Sequence, residues 1–244
     1  MPESEVAFLA RYRRADFLGQ LTTVDTAIFG IVDGELSVLL IQRQDHPSKG
    51  KLALPGGFID EALDDEITQT AHRKLLAKTG VTSPYLEQVE TLGTATRDPR
   101  GWSVTVLFFA LVDHSVSLAG PTFEEQADKP RWVPVIEALR TPLAFDHSLL
   151  LARSLTRLRK KTRYSALPLR LMPPEFTLTE LQHVFEIVLD EPLEKKSFRR
   201  RIEEAGLIVE TGNMRTGKHR PAALFRIGEL HDDFVFPRPL DESK

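Results

Sequence analysis

The residues best placed to do chemistry in this chain are cations on one helix face. Ile67, Ala71, Leu75 and Leu76 recur at helical spacing across residues 65–79, and Gly80 follows as a stop signal. Spacings of three and four share a face, so Lys74, Ala77 and Lys78 look the same way. Two ammonium groups side by side attract an anion. They repel Mg²⁺, which needs oxygen ligands in near-octahedral order, by on the order of several kcal/mol. Arg73, Arg43, Arg97 and Arg100 add guanidinium groups of the kind that pair with phosphate. Gly57 sits in a tight turn, and Phe58 and Trp102 offer flat faces to a base or a ribose. Arg43, Gly57, Phe58, Arg73, Lys74, Lys78, Arg97, Arg100 and Trp102 are thus candidate ligand residues. The competing reading makes Lys74 and Lys78 a solvated helix face, and Arg97 and Arg100 decoration of a turn.

A second constellation lies near the C-terminus. Across residues 193–205, Phe198, Ile202 and Ala205 share one side of a helix, while Lys196 and Arg200 project opposite, flanked by Ser197, Arg199 and Glu203; Lys195 joins the candidate DNA contacts. A helix with such a face suits the DNA major groove. The loop 212–220 carries Arg215, Lys218, His219 and Arg220 and reads as a wing that touches phosphates or the minor groove. Its Gly212-to-Lys218 spacing imitates a P-loop, but His219 stands where Ser or Thr is needed, and the loop joins two strands.

The elements that must position these groups fall into two parts. Asp33-Gly34 between two apolar runs predicts a β-hairpin. Leu52–Phe58 reads as a short strand ending in the glycine turn, residues 85–95 and 102–112 as strands, and Trp132–Val135 as a last one. Strands on both sides of one helix predict an α/β or α+β sandwich. Asp146 is placed to cap a long helix, 147–162, with Leu149, Leu150, Leu155 and Leu158 on its apolar side. Leu167–Pro174, with three prolines, reads as a linker. Beyond it Thr177–Glu180 fits a capping box, and two short helices followed by two strands describe a winged helix-turn-helix. The expected division is a ligand-sensing domain at 1–150, a connecting helix and linker at 151–166, and a DNA-binding domain at 167–244.

Charge supports that division. Residues 1–152 hold 14 Lys and Arg against 21 Asp and Glu, residues 153–163 hold six basic residues and no acid, and residues 195–226 hold nine against three. Polyanion contacts therefore belong to the second part, unless these blocks are ordinary solvated faces. The chain has 244 residues and no cysteine, which excludes disulfides, thiolate zinc sites and a cysteine nucleophile. No apolar run is long enough to cross a bilayer and the N-terminus lacks a signal-peptide pattern, so the expected location is cytoplasmic.

The stretch from Gly56-Gly57-Phe58 to Arg73 and Gly80-Val81 resembles the Nudix box. The family's metal-binding glutamates fall on Lys74, Ala77 and Lys78, and the loop 58–64 is longer than the strict motif. Together with Arg97–Gly101, Ala144–His147, Phe176–Gln182, Phe198–Ile202 and Gly217–Ala222, the whole chain resembles the Nudix-related transcriptional regulators of NAD metabolism, the NrtR family. The resemblance implies a Nudix-like α/β/α sandwich joined to a winged helix-turn-helix. It implies a homodimeric repressor of NAD biosynthesis or salvage genes that binds palindromic double-stranded operator DNA. It also implies release by ADP-ribose or a related dinucleotide, acting as effector and not as cofactor. Loss of the glutamates removes hydrolysis without by itself removing sensing. The resemblance thus implies that the candidate ligand residues form one pyrophosphate-holding pocket, with no metal ligand and no catalytic residue. Two alternatives stay open: an ADP-ribose pyrophosphohydrolase with Asp65, Glu66 or Glu61 as substitute ligands, and an adaptor whose C-terminal part binds protein.

Overall fold

A computed structural model describes residue 11 and residues 19–83, 85–113, 130–216 and 221–240. Its first part is built on a seven-stranded sheet. β1 (Leu21–Val32) lies at the centre and pairs antiparallel with β2 (Glu35–Gln42) and β4 (Gly56–Phe58), and parallel with β6 (Ser103–Leu111). β3 (Leu52–Ala53) and β7 (Arg131–Pro134) join β2, and β5 (Leu86–Thr94) closes the other edge against β6. The β1–β2 turn is the expected Asp-Gly hairpin, with Asp33 and Gly34 both at positive φ, 51° and 80°. The stretch 52–58 is two short strands on different partners, because Leu54-Pro55 turns the chain between them.

Alternating side chains of the sheet feed two layers. On one face α1 (Ile67–Thr79) sets Ala71 and Leu75 against Val24, Ile28, Val106 and Phe108. It begins two residues later than the sequence pattern suggests and ends on Gly80 in the left-handed conformation, φ 69°. On the other face, after the short α2 (Val135–Arg140), α3 (His147–Thr162) buries Leu150, Leu151, Leu155 and Leu158 against Phe29, Leu107 and Phe109. Leu149, expected inside, is 46% exposed, and Leu151 takes its place. The result is an α/β/α sandwich.

The second part has its own core. α4 (Leu178–Leu189) starts at the expected capping box: Thr177 Oγ1 accepts from the Glu180 amide at 3.2 Å, and Glu180 accepts from the Thr177 amide at 2.7 Å. α5 (Lys195–Ala205) crosses it through an edge-on Phe185–Phe198 contact with ring centroids 5.1 Å apart. β8 (Ile208–Arg215) and β9 (Ala222–Ile227) form the antiparallel wing, and Phe176 bridges to Phe225 as its third member.

Leu167–Pro174 is not a solvated linker. Residues Leu167–Leu171 form a 3₁₀ turn whose Leu167, Pro168, Leu169 and Leu171 are buried. Leu167 and Leu171 enter the sandwich core, whereas Leu169 and Met172 enter the second core. Prolines stop a regular helix here, but the apolar residues between them join the two cores.

Candidate functional site

Between β1, β4, the start of α3 and one face of α1 lies a cavity of about 320 Å³, in the range of small-ligand pockets. Of the nine residues expected to bind ligand, Arg43, Gly57, Phe58, Lys74, Lys78, Arg97 and Arg100 line it. Arg73 and Trp102 do not. Arg73 projects from the same helix but is spent on Asp64 of the preceding loop, which accepts from both Nε and Nη2. These hydrogen bonds hold the Asp64 carboxyl well below the usual carboxylate range. Arg73 thus fastens the long loop to α1. Trp102 packs on Gly93 at the edge of the sheet and is 46% exposed.

Lys74 reaches the cavity by passing Gly57, where a Cβ would lie 3.1 Å from its Cε. Burial lowers the Lys74 pKa first, and the charges of Arg73 and Lys78 push it the same way. An anion arriving between Lys74 and Lys78 would relieve that strain of like charges. Ala77 is exposed and does not line the cavity. Glu61, Asp65 and Glu66, the conceivable substitute ligands, do not line it either. Among the described residues no three His, Asp or Glu side chains converge as a metal would need. The donor set does not fit Mg²⁺: two ammonium groups stand where carboxylates would have to be.

The other wall alternates cations and rings. Arg43 lies 4.7 Å from the Phe145 ring centroid, and Arg100 lies 5.0 Å from that of Phe58 and 5.9 Å from that of Phe145. Asp98 accepts from Arg100 Nε and Nη2 at 3.0 and 2.7 Å and thereby orients it. Those bonds lower the Asp98 pKa.

The floor was hidden from sequence reasoning. Asp25, His147 and Phe145 line the cavity, and none is among the ligand residues expected from the sequence. Arg97 is a floor support more than an open cation. It is 9% exposed and donates twice to Asp146, at 3.0 Å from both Nε and Nη2. Asp146 does occupy the position before α3, but its side chain makes no capping bond there, because the guanidinium 49 residues away takes both oxygens. The one available clue was that Asp146-His147 follows Phe145, an aromatic at a helix start beside two polar groups.

In the second part, α5 buries Phe198 and Ile202 and leaves Lys195, Lys196, Ser197 and Arg200 exposed, as the helical wheel predicts. Arg199 differs: it is half-buried and donates to Thr179 Oγ1 at 3.2 Å, which ties α5 to the start of α4. Glu194 caps α5 by accepting from the amides of Lys196 and Ser197, and these bonds lower its pKa. Arg215 on the wing pairs with Glu180. Lys218, His219 and Arg220 lie outside the described residues.

The basic run 153–163 is largely engaged in ion pairs, although Arg153, Arg157 and Lys160 stay exposed. Arg153, Arg157 and Lys161, four apart, pair with Glu90 and Glu87 on β5. Arg159 and Arg163, also four apart, pair with Asp190 and Glu191 at the end of α4. The helix and the residue directly after it carry two ladders on two faces, and each ladder grips a different part of the molecule.

Two family models match the chain: the NUDIX domain over residues 21–154 and the NrtR DNA-binding winged helix domain over residues 168–227. The chain is 51% identical over 238 residues to an ADPR responsive transcriptional repressor of Acinetobacter baylyi, covering 98% of this chain and 94% of that one. It is similar to Shewanella oneidensis NrtR in complex with a 27mer DNA, with a TM-score of 0.83 and 44% identity, covering 91% of this chain and all of that one. The NUDIX domain of the same Shewanella protein, solved with ADP ribose, matches at 43% identity with a TM-score of 0.59, covering 64% of this chain and 99% of that one.

Proposed function

The chain belongs to the NrtR family of regulators, a NUDIX domain joined to a winged helix, and from that premise we propose that it is a repressor whose affinity for DNA is set by ADP-ribose. One observation carries this reading. Lys74 and Lys78 occupy the wall of a nucleotide-sized cavity where a hydrolase of this fold would need carboxylates. A site so built can hold a pyrophosphate electrostatically and has no means of metal-assisted water activation. The relative from Acinetobacter is named as ADPR-responsive, and the Shewanella NUDIX domain was solved with ADP ribose, which supports the same ligand here.

Arg43, Phe58, Lys74, Lys78 and Arg100 are the residues proposed to touch the ligand, with Arg97 holding the floor. Lys195, Lys196, Ser197 and Arg200 are proposed to enter the major groove, and Arg215 with the wing loop to follow the phosphates. A homodimer presents two such helices to the halves of a palindromic operator. The regulated genes are proposed to be those of NAD biosynthesis or salvage, and the location cytoplasmic. Residues 1–150 sense, 151–166 connect and 167–244 bind DNA. The double ion-pair ladder of α3 supports its role as lever, since any tilt of the helix relative to the sheet moves the end of α4.

Calorimetry with ADP-ribose, followed by an assay of AMP release in Mg²⁺, tests the reading. Binding without hydrolysis is the expected result. Magnesium-dependent AMP release would return the chain to the pyrophosphohydrolases.

A further inference from the structure

His147, which lines the cavity as His46 also does, has a single nitrogen left for a ligand. Its Nδ1 accepts the Leu54 amide at 2.9 Å, so this nitrogen is unprotonated and the ring proton sits on Nε2. The side chain is 6% exposed, and burial holds the imidazole neutral against the pull of Asp25 and Asp146. Nε2 lies 3.7 Å from Asp25 Oδ1, too far for a hydrogen bond.

Asp25 is arranged in a complementary way. Its Oδ2 accepts from Thr105 Oγ1 at 2.8 Å and lies 3.5 Å from Arg97 Nη2. Among the described residues nothing donates to Oδ1. What faces Oδ1 is Gly56, where a Cβ would stand 2.3 Å away. Any other residue at 56 would close off that oxygen. The floor therefore presents one donor and one acceptor, 3.7 Å apart, both reaching the cavity. A hydroxyl oxygen about 2.8 Å from each fits that gap, accepting from His147 and donating to Asp25. A phosphate oxygen would satisfy His147 but meet the Asp25 carboxylate with like charge.

We propose that His147 and Asp25 form a hydroxyl-reading pair that takes one ribose hydroxyl of the nucleotide ligand and sets the pocket's preference for a sugar over a further phosphate. The assignment rests on the ADP-ribose reading above. It gives the pocket two chemically distinct ends: lysines for the diphosphate, and a neutral imidazole beside a carboxylate for the sugar.

Two substitutions in the full chain separate a donor role from a structural one. His147→Asn keeps an acceptor near the Nδ1 position for Leu54 and deletes the distal donor. His147→Gln does the reverse, placing an amide N–H near Nε2. Calorimetry with ADP-ribose should show His147→Asn weakened about 10-fold and His147→Gln within about threefold of wild type. Singly deoxygenated analogues of ADP-ribose provide an arm that needs no variant. One of them should bind wild type about 10-fold more weakly. Equal affinity of wild type and His147→Asn, or of wild type for every deoxygenated analogue, would overturn the pairing while leaving ADP-ribose binding in place. No binding of ADP-ribose by wild type would overturn the underlying reading, and this inference with it.

Discussion

Arg163, directly after α3, donates to both carboxylate oxygens of Glu191, two residues beyond the end of α4, at 2.9 and 3.0 Å. Four residues earlier Arg159 donates to the Val188 carbonyl and to Asp190, each at 3.1 Å. The sensing sandwich and the DNA-binding part are joined by oriented, mostly half-buried pairs and not by a flexible tether.

Cutting this joint should uncouple the two sites without destroying either. In an Arg159→Ala/Arg163→Ala variant, ADP-ribose and DNA each bind within a few-fold of wild type. The factor by which ADP-ribose changes DNA affinity shrinks by about 0.5–2 kcal/mol. Anisotropy with labelled promoter DNA, with and without ligand, reads that factor. An unchanged factor would place the lever elsewhere.

The dilysine wall predicts metal independence. Lys74→Ala and Lys78→Ala should each weaken ADP-ribose by about 10-fold, the loss expected for a charged hydrogen bond. A chelator should leave wild-type affinity unchanged. The triple change Lys74→Glu/Ala77→Glu/Lys78→Glu should reverse the dependence, so that Mg²⁺ promotes nucleotide binding. Calorimetry with and without Mg²⁺ checks both.

Arg200 is the test of the DNA face. Its side chain is 72% exposed, with Glu204 near it at 3.9 Å. Arg200→Ala should weaken DNA binding and, if the contact is to phosphate, lower the salt slope by about one. A flat salt response in the wild type would favour a protein-binding adaptor instead.

Local signals in the sequence were reliable, and distant partners were not. The Asp33-Gly34 turn, the Gly80 stop and the Thr177–Glu180 capping box each close over four residues or fewer, so their chemistry is complete within a short window. Asp146 shows the limit: its position at a helix start is readable, but the Arg97 that claims its side chain lies 49 residues away. The basic stripe of α3 fails for the same reason. Composition reveals six cations in residues 153–163, but not that Glu87, Glu90, Asp190 and Glu191 come to meet them. The prolines of 167–174 announce an irregular backbone and say nothing of the two cores that its leucines enter. Lys74 and Lys78 were legible because a helix fixes which neighbours share a face. Asp25 and His147 were not, because they meet only when β1 lies beside the start of α3.

Glu87 predicts how stability follows pH. Burial alone would raise its pKa, but hydrogen bonds from Lys161, Tyr85 and Arg157 outweigh burial and hold it below the ordinary value. A carboxylate depressed in the folded state adds stability above the unfolded value of about 4.3 and loses it as pH falls through the folded value. Denaturant midpoints should therefore stay level near neutrality and fall below about pH 4. Glu87→Gln should lower the unfolding free energy at pH 7 by about 1–2 kcal/mol, seen as a lower midpoint, and flatten the acid limb.

The central claim is that one ligand in the sandwich governs the grip of α5 and the wing on DNA. The most direct test is the affinity of the full chain for its own upstream promoter DNA, at fixed salt, with and without saturating ADP-ribose. The account predicts a loss of about 5–150-fold when the ligand is present. DNA affinity unchanged by a ligand that calorimetry shows to be bound would contradict it.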